Sequence, residues 1–244
     1  MRYLCVRNKV EQTIHLIYYT SVMEQKDTVK IYNLIILDES GSMTSIYKQA
    51  LDGINETING IRKNQENYPE QRHFVSIVTF EGEGMNGVKT RRDREPVGNV
   101  SAFTGKDYQP GGCTPLYDAM GKAITALDAK VEKGDCVLVT IITDGMENAS
   151  REYSGKAVKE LVARQREKGW TFAYIGANQD AVEVARDLNI LNAMNYDASP
   201  EGVACMSMRF SRAQDDFARR IHCYESILSD FNDFFVSDDD DKDK

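Results

Sequence analysis

Three short segments of this 244-residue chain carry oxygen donors at spacings that suit a hard cation. They are Asp38-Glu39-Ser40-Gly41-Ser42, Gly112-Cys113-Thr114-Pro115 and Thr143-Asp144-Gly145. The D-x-S-x-S spacing lets one tight loop aim alternate side chains at a common point, and Gly41 is expected to permit the turn. Asp38, Ser40, Ser42, Thr114 and Asp144 then form an all-oxygen set, which suits Mg²⁺ first, with Mn²⁺ or Ca²⁺ as substitutes. Because Ser40, Ser42 and Thr114 offer neutral hydroxyls, an ion held there keeps part of its charge, and an acidic group of a partner can complete the shell. The competing reading is that Asp and Ser at strand ends merely cap helices and turns. It requires three separate loops to agree by coincidence. Glu39, at the variable position of the first segment, is expected to face solvent, and Cys113 to be an inert thiol.

Enzyme chemistry fits these residues poorly. A phosphatase of the haloacid-dehalogenase type needs a second Asp where this chain has Ser40, and so lacks its general acid. A serine hydrolase needs G-x-S-x-G and a histidine partner, but Glu39 replaces the first Gly and the histidines, His15, His73 and His222, do not fall at suitable strand ends. Residues 39–44 do not supply the G-x-G-x-x-G of a dinucleotide site. A metal-dependent hydrolase at the same loops remains an alternative, with Glu39 or Glu147 as its general base. A scaffold whose metal only ties loops together is another.

A net charge of −8 and a pI near 5.1 argue against nucleic-acid binding, which rests on clustered Lys and Arg. Protein partners fit better. The five cysteines, at positions 5, 113, 136, 205 and 223, form no C-x-x-C pair and read as reduced. No apolar run approaches the roughly 20 residues that cross a bilayer. Residues 1–23 carry scattered charge and lack the apolar stretch and cleavage site of a signal peptide.

The elements that must position the donors follow from periodicity. Residues 31–37 are an apolar run ending at Asp38, as in a strand buried on both faces of a parallel sheet. From 45 to 63, Ile46, Ala50, Ile54, Ile58 and Ile61 mark one face of a helix. Residues 73–80 read as a strand, 88–96 as an edge strand, 115–127 as a helix and 136–143 as a buried strand. A helix at 154–168, a strand at 170–176, a helix at 179–188 and a short strand at 194–196 follow. This alternation predicts an α/β fold with a mostly parallel sheet covered on both faces, and a ligand site off the carboxyl ends of the strands. Met206, Phe210, Ala213 and Phe217 place one or two further helices in residues 201–235. The expected organisation is an extension at 1–22, with an ordinary N-terminal strand or helix as the alternative, a domain at 23–196, packed C-terminal helices at 197–236 and a disordered acidic tail at 237–244.

The five donors, in this order, resemble the metal-ion-dependent adhesion site of von Willebrand factor A domains at every position. The resemblance covers residues 30–190, and the flanking segments Gly112-Cys113-Thr114-Pro115-Leu116-Tyr117-Asp118-Ala119 and Ile142-Thr143-Asp144-Gly145-Met146-Glu147-Asn148-Ala149 look like those of intracellular bacterial members. It implies a three-layer, doubly wound, Rossmann-like fold and a cytoplasmic, non-catalytic module that presents Mg²⁺ to an exposed Asp or Glu of a protein ligand. It further implies that Ser40 and Ser42 bind the ion directly, that Asp38 acts through water, and that Thr114 and Asp144 exchange direct and water-mediated roles.

Overall fold

The structure, a computed structural model, describes residues 28–82, 87–177, 181–197, 199–222 and 233–235. The expected extension at 1–22 and the acidic tail at 237–244 lie outside these residues. Strand β1 (Val29–Asp38) is almost entirely buried, because alternate side chains serve two different cores. Ile31, Ile35 and Leu37 face one side, and Tyr32, Leu34 and Ile36 the other. On either side of it lie β2 (Gln71–Phe80) and β4 (Cys136–Thr143), both parallel to β1. Beyond β4 come β5 (Thr171–Ala177) and β6 (Asn192–Tyr196), again parallel, while β3 (Val88–Pro96) closes the other edge antiparallel to β2. The sheet order is β3-β2-β1-β4-β5-β6. The chain therefore builds outward from β1 in one direction and then outward from β4 in the other. Loops leaving the carboxyl ends of β1 and β4 diverge to opposite faces there, and the crevice between them is where such sheets hold ligands.

Helices α1 (Tyr47–Asn67) and α5 (Pro200–His222) cover one face, bringing Ile54, Ile58, Ile61, Phe210 and Phe217 onto Ile31 and Ile35. Helices α2 (Leu116–Asp128), α3 (Gly155–Glu167) and α4 (Ala181–Asp187) cover the other with Met120, Ile124, Val162 and Ala185. The predicted α/β architecture with helices on both faces is thus the observed one. The helix expected at 45–63 departs at both ends, running on to Asn67 and starting later than residue 45. A 3₁₀ turn spans Gly41–Ile46, and its i, i+3 spacing buries both Met43 and Ile46. Regular α-helix begins only at Tyr47. Among the described residues no helix is long and apolar enough to cross a membrane.

Candidate metal centre

Asp38 ends β1 fully buried, paired across the sheet with Phe80 at the end of β2. Its Oδ1 accepts the Ser40 N–H at 2.7 Å, so the chain folds back at once. Ser40 Oγ then lies 3.1 Å from Ser42 Oγ, whose hydroxyl donates to Asp144 Oδ1 at 2.6 Å. Thr114 enters from the third segment. A Cβ placed on Gly145 would lie 3.3 Å from Thr114 Oγ1 and 3.6 Å from both Asp38 Oδ2 and Ser42 Oγ. Thr114, Asp38 and Ser42 thus border one small space beside Gly145, and Ser40 and Asp144 each touch Ser42.

The electrostatics of that space are one-sided. Burial pushes the Asp38 carboxyl up to about 6, against hydrogen bonds from Thr143 and Ser40 that pull it down, and the Asp144 charge adds to the rise. Asp144 is also raised, again mainly by burial. Among the described residues neither carboxylate pairs with Lys, Arg or His. Among those residues there is also no cluster of three or more His, Cys, Asp or Glu side chains that could hold a metal ion, so any site here depends on hydroxyl donors beside the two carboxylates. Two carboxylates and three hydroxyls with no counter-charge are a donor set whose chemistry fits a hard divalent cation.

The loops that deliver these donors are fastened by their own hydrogen bonds. Gly112 has φ +68°, and a Cβ there would strike Glu81 Oε2 at 2.7 Å and Gly82 N at 2.8 Å. It is Gly112 that holds the left-handed turn, whereas Gly41 has no positive φ and its neighbours leave room for a Cβ. The expectation that Gly41 permits the turn is therefore corrected. Thr114 is held at both its backbone groups by Asn148, with N–H to Asn148 Oδ1 at 2.8 Å and C=O from Asn148 N at 3.1 Å. Three successive N–H groups, of Arg151, Glu152 and Tyr153, donate to the buried Asp118 carboxylate of α2.

Three residues near the site were not anticipated. Thr143 donates to Asp38 Oδ2 at 2.5 Å, although it had been read only as a neighbour of Asp144. Tyr108 donates to the Asp38 carbonyl at 2.9 Å from a wholly buried position, with no motif to mark it. Glu39, expected to face solvent, is wholly buried, and Arg91 of β3 pairs with both of its oxygens at 3.0 and 2.8 Å. That expectation failed because the partner lies 52 residues away. Cys113, expected to be an inert thiol, is a free cysteine in an exposed position.

The candidate bases of a hydrolase are committed elsewhere. Glu147 accepts hydrogen bonds from the N–H of Tyr117, Ala149 and Ser150 and from the Ser150 hydroxyl, at 2.7–2.9 Å. His73 pairs with Ile31, seven residues of strand from Asp38, which is roughly 23 Å at 3.3 Å per residue. It is buried between Asn33 and Gln71. His222, exposed at the end of α5, hydrogen-bonds to Glu70.

No protein-family model and no curated protein matches the sequence. Solved structures do match. The pilus adhesin SpaC from Lactobacillus rhamnosus GG, in its open conformation, aligns at 13% identity with a TM-score of 0.60, over 78% of this chain and 30% of its own length. A von Willebrand factor type A protein from Catenulispora acidiphila aligns at 16% identity and TM-score 0.53, over 77% of this chain and 43% of its own. The SpRpn10 VWA domain aligns at 16% identity and TM-score 0.52, over 71% of this chain and 92% of its own. The chain spans less than half the length of the first two and nearly all of the third. With a six-stranded sheet of this order and helices on both faces, the chain has the fold of von Willebrand factor A domains.

Proposed function

We propose that this chain is a non-catalytic protein-binding module that holds Mg²⁺ through Asp38, Ser40, Ser42, Thr114 and Asp144 and presents it to an exposed Asp or Glu of a partner. One observation carries the reading: oxygens from three loops meet beside Gly145, and among the described residues their two carboxylates have no cationic partner. A bound divalent ion would supply residual positive charge at the crevice mouth, because three of its protein donors are neutral hydroxyls. This chain's residues do the rest. Asp38 anchors the loop through Ser40 N and Thr143, Ser42 and Asp144 face each other, and Asn148 sets the backbone of Thr114. The engagement of Glu39 by Arg91 and of Glu147 by four donors supports a binding role over hydrolysis, since a general base needs a free acceptor within reach of water. That one structural neighbour is a pilus adhesin is in keeping with this reading.

Thermal unfolding with increasing Mg²⁺ tests it. At ten times the dissociation constant the folded state gains about 1.4 kcal/mol, a rise of about 3–6 °C for a domain of this size. The rise should vanish in Asp38→Ala. An equal rise in both proteins, or none in either, refutes the site. Capture of partners with magnesium and then with chelator separates presentation from a structural metal, which would leave capture unchanged while stability falls.

A further inference from the structure

Among the described residues the Glu39–Arg91 pair, its carboxylate buried and its guanidinium partly exposed, is the one ionic contact that joins the metal loop to a strand outside it. Glu39 lies between Asp38 and Ser40, and its three polar groups reach in three directions. Its N–H donates to the Phe80 carbonyl at 2.8 Å, and its carbonyl accepts from Gly111 N at 2.8 Å. Its carboxylate takes both Arg91 Nη2, at 3.0 and 2.8 Å, and the Gln109 N–H, at 2.5 Å. Arg91 is itself aimed by Thr79, whose hydroxyl accepts from Nε at 2.9 Å. Gly41 N to Gly112 O and Gly82 N to Cys113 O, both 3.1 Å, complete the attachment. The stretch from Gln109 to Cys113, which delivers Thr114, is therefore tied to the loop that carries Asp38, Ser40 and Ser42, with a buried carboxylate at the knot.

We propose that Glu39 and Arg91 are positioning residues for the metal centre, setting the separation between the D-x-S-x-S loop and Thr114 and so the affinity for Mg²⁺. The inference rests on the binding function proposed above. A carboxylate buried without its guanidinium would be costly, so the two charges act as a unit, Glu39 from the loop after β1 and Arg91 from β3. Its geometric yield is that neither loop can move toward or away from the other without breaking the bonds of Glu39 to Gln109 and Gly111, and Arg91 holds the carboxylate that makes the first of them. Groups that orient metal ligands without touching the ion commonly change affinity by about 10–100-fold when lost.

The test uses the whole chain, with Mg²⁺ alone as the probe and the Gly145 amide followed by ¹H–¹⁵N NMR. The double variant Glu39→Gln/Arg91→Met removes both charges together and keeps an acceptor for Gln109 N–H. With amide dispersion retained, its Mg²⁺ dissociation constant should rise by about tenfold or more. A purely structural pair would lower the unfolding midpoint and leave that constant unchanged, which overturns the inference while the metal site stands. If Gly145 in the parent does not respond to Mg²⁺, the metal site itself falls and the inference with it. Should the double variant lose its dispersion, Thr79→Val decides, because it removes the acceptor that aims Arg91 Nε without touching Glu39. A weaker dissociation constant supports the positioning role, and an unaltered one refutes it.

Discussion

At Gly145 the absence of a side chain leaves the space that the donors border. Gly145→Ala would put a methyl carbon within 3.3 Å of Thr114 Oγ1 and 3.6 Å of Asp38 Oδ2 and Ser42 Oγ. The backbone there has no positive φ to strain, so stability without metal should stay within about 1 kcal/mol of the parent. The Mg²⁺-dependent rise in unfolding temperature should be lost, and calorimetry of both proteins with and without Mg²⁺ checks this. A second prediction concerns His73, which burial lowers to about 4 from 6.5. Below 6.5 the unfolded chain takes up its proton first, so His73 withdraws about 3 kcal/mol of stability as pH falls toward 4. In the metal-free protein Asp38, raised to about 6, acts with the opposite sign, since the folded state protonates first. His73→Gln leaves the Asp38 contribution in place. Urea unfolding should therefore show the difference between variant and parent moving by about 3 kcal/mol in the variant's favour between pH 6.5 and 4. The residues that meet beside Gly145 were legible in the sequence because each of their motifs is local. Glu39, Tyr108 and Thr143 were not, since their roles are defined by Arg91, the Asp38 carbonyl and Asp38 Oδ2, all distant in the chain.

Among the elements, α2 and the loop after β4 act as one piece. Asp118 accepts three successive N–H groups at 2.7–3.0 Å while buried. Asp118→Asn turns part of that acceptor into a donor that faces other donors. It should destabilise the fold by about 1–3 kcal/mol, measured by urea titration. Strand β4 was readable to the residue at 136–143, because all eight of its side chains are buried and chain direction changes sharply at both ends. The expected edge strand at 88–96 likewise coincides with β3. The start of α1 was misread because Ile46 fits a helical stripe equally well from a 3₁₀ turn, and the period that separates the two needs more than one turn to register. In α5 the Met and aromatic stripe proved to be core, with Met206, Phe210 and Phe217 buried against the sheet and α1.

Taken whole, the molecule is two apolar cores separated by one sheet, with its polar centre where the order of strands reverses. Ser42 and Asp144 stand 102 residues apart, so their meeting depends on β1 and β4 having already paired. A site closed by such distant contacts forms after the folding transition state has buried most of its surface. Saturating Mg²⁺ should then slow unfolding and leave the folding rate unchanged, a split that stopped-flow kinetics across a range of urea can read. An acceleration of folding would mean that the loops converge early. The same separation bears on synthesis. A chain leaving the ribosome carries the D-x-S-x-S loop long before Asp144 exists, and that loop alone offers an ion too few donors. Magnesium would thus be captured by a finished protein, as a seal, and could not serve the nascent one as a template.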